Sequence, residues 1–397
     1  MFIAILLLVL SPYTALIPGM YAMVGVFTKR YHVNLNLWSI GLLTLFLIAV
    51  ASGILNKSPL SVIASLVIFM YFCISAAMEN VFSSEDKIIR FYLYLLYFSI
   101  IPGIIGIAQK ISCEWFGTAF IKRVFYVTSD LDGRIYSTFS NPNIAGGWFA
   151  AMLLIAIFFW NRREVRNRLT LVLLMLLYSA NILLTGSRGA IMGLAAGAMV
   201  LLLIKRGWRG LIIPATMLCT IVLLSLIPAS TSFISDFMGH NVSSSFLSRY
   251  PIWKGCLQMA LEKPLLGWGL MGVFEKGSLF FDRSITAIHA HNIWLSILST
   301  LGLTGFYVYI IMKAYVIYSL SVLKKNNCPL TSLLASMQVL VLVHGLVDFT
   351  IAAPQTGMLF ITCSEFIASL SRSMSATPHF WQMPAWPSVM SSKYRAD

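Results

Sequence analysis

The sequence has 397 residues, of which 58% are hydrophobic and only 11% are charged, whereas an average soluble domain has about 25% charged residues. This composition excludes an ordinary soluble globular protein. The formal net charge is +14, but the basic residues are scattered between long apolar runs, and a nucleic-acid surface needs a clustered basic patch. We therefore expect no nucleic-acid partner.

Apolar runs long enough to cross a bilayer recur along the chain, since a helix needs about 20 residues to do so. The first run, 2–27, lacks a preceding basic segment, so we interpret it as a retained span that bends at Pro12 or Pro18. The sequence predicts an all-α, polytopic membrane protein with about eleven spans, forming one bundle over residues 1–372 with a tail at 373–397. The later predicted spans are 35–55, 60–78, 89–108, 143–160, 169–185, 189–204, 210–229, 291–318, 330–350 and 356–371.

The distribution of basic residues predicts the orientation of the bundle. The connections after spans one, three, five, seven and nine hold 13 Lys and Arg residues, and the short connections on the other side hold two. Because short cytoplasmic loops are rich in Lys and Arg, we expect the odd-numbered connections inside and the N-terminus outside. Two longer loops, 109–142 and 230–290, then face outward. In the second, apolar residues from Tyr250 to Leu261 recur at helical spacing and predict a helix on or re-entering the bundle, which Pro264 ends.

Three polar segments at predicted outward ends of spans are informative because charge near a bilayer is costly. Residues 185–189 form a short turn that contains Arg188, residues 248–253 contain Arg249, and residues 289–292 (HAHN) precede span nine. Taken singly, each has an ordinary interpretation: a snorkelling arginine, a solvated helix start and an interfacial histidine.

Taken together, two guanidiniums and an imidazole at one surface favour a substrate with its own negative charge. A diphosphate fits, because arginine binds phosphate oxygens bidentately and stabilises charge on a leaving group. His289 and His291 are two residues apart, so they do not share a helical face as an HxxxH metal pair does, and we expect at most one in the site. The six cysteines show no CxxC spacing, so we expect no metal ion and no cofactor.

The histidine segment resembles a known signature. His291 and Asn292 are followed, after nine residues, by Gly302 and then by Gly305, as in bacterial O-antigen ligases and the related polysaccharide polymerases. The resemblance covers about 138–365 and implies a GT-C-like helical fold; these ligases usually have twelve spans, so a twelfth span is an alternative here. Similar stretches are 140–143 (SNPN), 184–189 (LTGSRG), Arg249 with Trp253, 264–269 (PLLGWG) and 344–349 (HGLVDF).

The resemblance implies that a glycan moves from undecaprenyl diphosphate to an acceptor hydroxyl at the outer face of the bacterial cytoplasmic membrane, with inversion and without a metal. The acceptor is the lipid A core in the ligases and another lipid-linked repeat in the polymerases; the histidine signature favours the ligase branch. Arg188 and Arg249 would bind the diphosphate, and His291 would take the hydroxyl proton. Histidine suits that task because its ordinary pKa is near 6.5.

Five residues are secondary candidates. Asp348 either orients the catalytic histidine, pairs with an arginine or caps a helix. Asn141 and Asn143 either bind sugar hydroxyls or form the turn before span five. His289 is the alternative base, and Asn292 is the neighbour of the catalytic histidine in the signature.

Other interpretations stay open. In the first outer loop, Arg134, Lys122 and Arg123 either contact an anionic glycan or are simply solvated. Asp130 and Asp132 are similar to the acidic pair of metal-dependent glycosyltransferases, but beside a glycine they are also typical of a turn.

A lipid-linked glycan transporter is the rival from another class, and a structural membrane scaffold is a third interpretation. In a transporter, the arginines would line a pathway. The predicted spans are almost free of charge and the ionisable residues collect at one face, which favours surface chemistry over passage.

Overall fold

The computed structural model describes residues 2–125, 133–160, 162, 164–165, 167–211, 242–282, 285 and 287–375. All regular structure in these ranges is helical, which confirms the all-α prediction. The helices are α1 (Phe2–Leu10), α2 (Pro12–Phe27), α3 (Leu37–Leu55), α4 (Pro59–Val81), α5 (Glu85–Phe98), α6 (Ile100–Phe125), α7 (Pro142–Phe159), α8 (Arg168–Thr185), α9 (Arg188–Arg206), α10 (Val242–Glu262), α11 (Gly272–Lys276), α12 (Ile293–Lys325), α13 (Thr331–His344) and α14 (Pro354–Met374), with 3-10 turns at Gly207–Leu211, Gly277–Leu279 and Thr350–Ala352.

The apolar helices define a multi-pass membrane protein. Within the described residues, seven helical stretches are long and apolar enough to cross a bilayer, and α2 and α13 are shorter apolar helices. The predicted count of eleven or twelve spans is not confirmed, and most of the predicted span at 210–229 lies outside the described residues. The seven stretches are α3, α4, α5 with the start of α6, α7, α8, α9 with the turn after it, and α12.

The predicted first span is two helices rather than one bent helix. It breaks where Ser11 ends α1 and caps α2 by accepting the backbone N–H of Tyr13 at 3.2 Å. Pro12 then occupies the first position of α2, where a missing N–H costs nothing, and Pro18 is accommodated inside the helix.

The loop predicted at 109–142 is helical for much of its length. α6 continues to Phe125. Its sequence mixes polar and apolar residues in this part, so the helix produces no hydropathy peak by which it could be predicted. The amphipathic helix predicted near Tyr250 is confirmed as α10, although it begins earlier, at Val242.

α12 is kinked where the 264–269 segment packs against it. Gly302 has φ +66 and ψ −167, and a Cβ there would overlap the carbonyl oxygen of Leu265. The backbone groups freed by the kink pair with the segment: the N–H of Leu303 donates to the oxygen of Pro264 at 2.7 Å. Gly302 is therefore needed for a close contact between this helix and the 264–269 segment.

α9 packs closely on α13 through a row of glycines. A Cβ on Gly189 would lie 2.7 Å from the His344 ring, and a Cβ on Gly193 would lie 2.7 Å from the oxygen of Leu340. Small residues four apart let two helix backbones approach in this way. The packing fixes the start of α9 beside the turn that follows α13.

Some charge lies inside the bundle, so the spans are less free of ionisable groups than expected. On α14, Arg372 Nη2 donates to Glu79 Oε1 at 2.6 Å and to Glu365 Oε1 at 3.2 Å, and Ser75 Oγ also bonds Glu365. On α12, the buried ammonium of Lys313 lies 4.0 Å from the Phe360 ring centroid. A buried charge in a membrane protein needs partners of this kind.

Replacing Gly302 with alanine should destabilise the protein through overlap with the 264–269 segment. The control is Gly207→Ala, because Gly207 also has positive φ, +63, but has open space around its Cβ position. Both variants carry the strain of an alanine at positive φ. Gly302→Ala should therefore lower the free energy of unfolding by about 1–3 kcal/mol more than Gly207→Ala, which is the usual cost of overpacking. Thermal unfolding in detergent measures the difference, and equal losses would contradict the close approach.

Candidate functional site

A polar cavity of about 510 Å3 lies where the turn between α8 and α9, the middle of α10 and the segments flanking α12 and α13 meet. Arg188, Arg249 and His291, the three principal predicted residues, all line it. Asp348 lines it as well. Side chains that are distant along the chain therefore share one chamber.

Arg188 is placed by the turn between two helices. Gly186 ends α8 in the left-handed conformation, with φ +58, and Ser187 begins α9 by accepting the N–H of Ala190 at 3.4 Å. A glycine stop followed at once by a serine cap reverses the chain within two residues. Arg188 consequently occupies the first turn of α9, at the rim of the cavity.

Arg249 lines the cavity together with the other charged groups. Burial lowers the pKa of its guanidinium, the Asp348 carboxylate raises it and Arg188 lowers it again. Arginine stays charged throughout the ordinary pH range. Arg249 therefore shares the cavity with Arg188 and Asp348 and is influenced electrostatically by both.

His291 is held at the start of α12 by the residues that follow it. Asn292 caps the helix by accepting the N–H of Leu295 at 2.9 Å, and its side-chain amide donates to the oxygen of Leu346 at 2.9 Å. The N–H of Ile293 donates to the oxygen of Gly345 at 2.7 Å. Asn292 thus binds the start of α12 to the turn after α13, which is a positioning role within the signature.

His291 and Asp348 form a hydrogen-bonded pair, with Nδ1 and Oδ1 at 3.1 Å. Burial raises the pKa of Asp348, but the hydrogen bond and the charge of His291 outweigh it and hold the pKa below its ordinary value. An ionised carboxylate only accepts hydrogen bonds, so Nδ1 carries the proton. Nε2 is then left as the basic nitrogen of a side chain that is 27% exposed. This is the arrangement of a general base and its orienting group.

His289 lies behind His291 instead of in the polar cavity. Its Nδ1 accepts the backbone N–H of His291 at 3.1 Å, and the two ring centroids are 4.4 Å apart. Burial, together with the charge of His291, lowers the pKa of His289 to about 4. Both histidines precede α12, so the prediction that they lie on different faces of one helix does not apply to them. His291 lines the polar cavity, and His289 lines an adjacent apolar cavity.

The same residues have the spacing of a metal site. One ligand atom each from His289, His291 and Asp348 lie within 4.8 Å of one another. The hydrogen bonds among the three residues already account for this arrangement. The expectation that the protein works without a metal stays a prediction.

Asn141 and Asn143 divide between two roles. Asn141 caps α7 by accepting the N–H of Asn143 at 2.7 Å, and it does not line the cavity. Asn143 lines the cavity, where its Oδ1 accepts from Arg134 Nη2 at 2.9 Å. The structural interpretation therefore fits Asn141, whereas Asn143 belongs to the site.

Two further residues in the cavity were not among the predicted site residues. Arg134, for which a solvated loop was the alternative, lines the cavity. His344 also lines it, buried where Gly147 and Gly189 leave room for its ring. The 344–349 motif was a signal for His344, but nothing in the sequence around Arg134 marks its position. Asp130, Asp132 and the side chains of Lys122 and Arg123 lie outside the described residues.

These features define an all-helical, multi-pass membrane protein with a polar cavity that combines arginines with a carboxylate–histidine pair. The O-antigen ligase family model matches residues 173–310, so this stretch of the chain is similar to that family. Arg188, Arg249 and His291 lie inside the matched residues, and Asp348 lies beyond them. The matched stretch is shorter than the 138–365 expected from the motifs. No curated protein matches the chain.

Acidification should destabilise the folded protein through His289. In the folded state this histidine stays neutral down to a pH of about 4, whereas in the unfolded chain it takes a proton below 6.5. Between those values the unfolded state binds more protons, so stability rises with pH across this window. His289→Phe should flatten the dependence of the unfolding temperature on pH in detergent.

The control for this experiment is His32→Phe, which alters an exposed histidine and should leave the pH dependence unchanged. An undiminished slope in the His289→Phe variant would contradict a neutral, buried His289.

Proposed function

We propose that the protein is a membrane glycosyltransferase of the O-antigen ligase type. It moves a glycan from undecaprenyl diphosphate to a hydroxyl of the lipid A core, at the outer face of the bacterial cytoplasmic membrane. The observation that carries the proposal is that Arg188, Arg249 and His291 line one cavity, with His291 hydrogen-bonded to Asp348.

The arginines suit the donor. A diphosphate diester carries negative charge on both phosphates, and guanidinium groups bind such oxygens with two parallel hydrogen bonds. Arg188 and Arg249 come from different helices, so they can bind one diphosphate from two directions. When the glycan leaves, the additional charge on the departing diphosphate stays next to both cations, which lowers the barrier.

His291 suits the acceptor. Its Nε2 takes the proton of the acceptor hydroxyl while the hydroxyl oxygen forms a bond to the anomeric carbon. The bond between that carbon and the phosphate oxygen breaks, and its electron pair leaves with undecaprenyl diphosphate. Attack opposite the leaving group inverts the anomeric centre. Asp348 keeps the imidazole in the tautomer with Nε2 unprotonated and stabilises the imidazolium that forms.

The membrane architecture suits a lipid-linked partner on either side of the reaction. The cavity lies at one end of a bundle of apolar helices, so a polyprenyl chain stays in the bilayer while its diphosphate enters the cavity. The same chemistry serves a polymerase that uses another lipid-linked repeat as acceptor, and the choice of acceptor is therefore part of the test.

Replacing His291 with alanine should slow glycan transfer about 10²–10⁴-fold, the usual effect of losing a general base. The assay uses membrane vesicles with lipid-linked glycan and, in parallel, lipid A core or a second lipid-linked repeat as acceptor. Transfer to the core alone identifies a ligase, and transfer to the repeat alone identifies a polymerase. His32→Ala is the control, since it alters an exposed histidine. Near-normal transfer by His291→Ala would reject His291 as the base and make His289 the next candidate.

Replacing Arg188 or Arg249 with lysine should reduce transfer about 10- to 100-fold, because lysine keeps the charge but loses the paired donors. The matched control is Arg162→Lys, since Arg162 pairs with Glu164 at 2.7 Å in a different loop. Initial rates in the same vesicles give the comparison. Full activity in both lysine variants would contradict a bidentate diphosphate site.

A further inference from the structure

A further cavity lies at the end of α9 that is distant from Arg188. α9 has 19 residues, begins with Arg188 at the polar cavity and ends with Lys205 and Arg206. These last two residues line a cavity of about 260 Å3, which we call the distal cavity. A helix of this length spans about 28 Å, close to the thickness of about 30 Å of the hydrocarbon core of a bilayer. The two cavities therefore lie at opposite ends of a helix that can cross the membrane.

The wall of the distal cavity is mostly apolar and comes from three helices. Ile157 belongs to α7, Met175 to α8, and Leu201 and Leu202 to α9. Among the seven long apolar stretches of the described chain, those of α8 and α9 are the least buried. In a membrane protein, apolar surface that the protein leaves uncovered contacts lipid. An apolar chain can therefore reach this cavity from the bilayer.

Lys205 is held at the distal cavity by the end of α7. Its Nζ donates to the oxygen of Phe158 at 3.0 Å and lies 4.4 Å from the centroid of the Phe158 ring. The carbonyl acceptor is uncharged, so this bond positions the ammonium group without neutralising it. Arg206 is next in the sequence, also lines the cavity and is exposed. Two cations and an apolar wall thus line the same cavity.

An aromatic residue is the remaining part of the lining. Trp160 follows α7 and lines the distal cavity, and the guanidinium of Arg168 lies 5.3 Å from the centroid of a Trp160 ring. Tryptophan is enriched where the hydrocarbon core meets the head groups. The residues that line the cavity in the described chain include no carboxylate. The distal cavity therefore combines positive charge and an interfacial tryptophan with an apolar wall.

Basic residues at the end of an apolar helix also have an ordinary role. They complement the helix dipole and extend toward water. The end of α12 has the same charges, because Lys324 and Lys325 are exposed in its last turn. The end of α9 adds two features, a cavity with walls from three helices and a hydrogen bond that directs Lys205 to α7. These features favour a bound ligand over a helix-end charge alone.

We propose that the distal cavity binds an anionic phospholipid. Its phosphate contacts Lys205 and Arg206, and the first part of an acyl chain lies along the apolar wall. Basic pockets between membrane helices bind such head groups. The basic connections 162–168 and 205–209 are on the predicted cytoplasmic side, and the cytoplasmic leaflet attracts basic segments through its anionic lipids. The inference does not depend on the proposed glycan transfer.

Native mass spectrometry of the full-length protein tests the site, with equal amounts of phosphatidylglycerol and phosphatidylcholine added in detergent. The wild type should retain phosphatidylglycerol preferentially. A variant that combines Lys205→Gln with Arg206→Gln should bind phosphatidylglycerol at least about tenfold more weakly, because each cation near a lipid head group contributes to binding. The matched control combines Lys324→Gln with Lys325→Gln. It removes the same charge from the exposed end of α12 and should keep the wild-type affinity.

Three results would overturn the proposal. An unchanged preference in the variant of Lys205 and Arg206 would show that these cations do not bind the lipid. An equal loss in the two double variants would assign the preference to overall charge. Displacement of the lipid by the same concentration of glycerol phosphate, a head group without acyl chains, would identify a phosphate site that does not use the apolar wall. The assay measures no glycan transfer, so each of these results leaves the proposed function intact.

Single substitutions at Arg206 decide the question if the double variant does not fold. Arg206 is exposed, so its substitution should not disturb the core. Arg206→Gln alone should lower the affinity for phosphatidylglycerol, whereas Arg206→Lys keeps the charge and should stay close to the wild type. An affinity that Arg206→Gln leaves unchanged would also overturn the proposal.

Discussion

The site depends on the junction between the start of α12 and the turn after α13. The hydrogen bond from the N–H of Ile293 to the oxygen of Gly345, and that from Asn292 to Leu346, hold these two segments together. A side chain at position 345 would overlap Ile293, so the close approach needs a glycine. Because the junction is fixed, His291 contacts Asp348, and a hydrogen bond orients the imidazole of a histidine that lies in a loop.

The same junction brings the arginines to the histidine. α13 ends at His344, and its close packing on α9 through Gly189 and Gly193 sets the start of α9, with Arg188, beside the turn that holds Asp348. Helix packing within the bundle therefore decides the geometry of a site built mostly from loop and helix-end residues. A small change in the packing at these glycines should therefore alter the geometry of the cavity as well as the packing of the core.

Much of the architecture follows from hydropathy, and its departures from the prediction have physical reasons. Hydropathy detects helices that face lipid or core, so α3, α4, α7, α8 and α9 fall close to the predicted spans. It does not detect the part of α6 beyond residue 109, where polar residues interrupt the apolar ones. The break at Pro12 was one of two candidates, and only the Ser11 cap distinguishes it from Pro18.

The kink at Gly302 depends on a contact with residues 264–269. The sequence shows this glycine as part of the histidine signature, but the segment that packs against it lies much earlier in the chain. Spacing alone therefore does not show which segment this glycine contacts.

Some of the site residues were predictable from the sequence and others were not. Arg188, Arg249 and His291 were predictable because charge beside a bilayer is costly and because the histidine signature has a recognisable spacing. The position of Arg134 was not predictable, since the sequence of a polar loop does not distinguish a solvated arginine from one that is held by hydrogen bonds. Its position is decided by Gln109, which is remote in sequence and whose amide holds the neighbouring backbone.

The ionisable groups inside the bundle bear on the choice between surface chemistry and transport. Lys313 donates to Gln338 at 3.3 Å and lies among aromatic rings, and Arg372 is bonded to two carboxylates of the bundle. Neither residue lines the polar cavity. A pathway for an anionic lipid head group needs cations that exchange partners along its length, whereas these two are held by fixed partners. The arginines that line the polar cavity lie together with the carboxylate–histidine pair, which favours a reaction at the membrane surface over passage through the bundle.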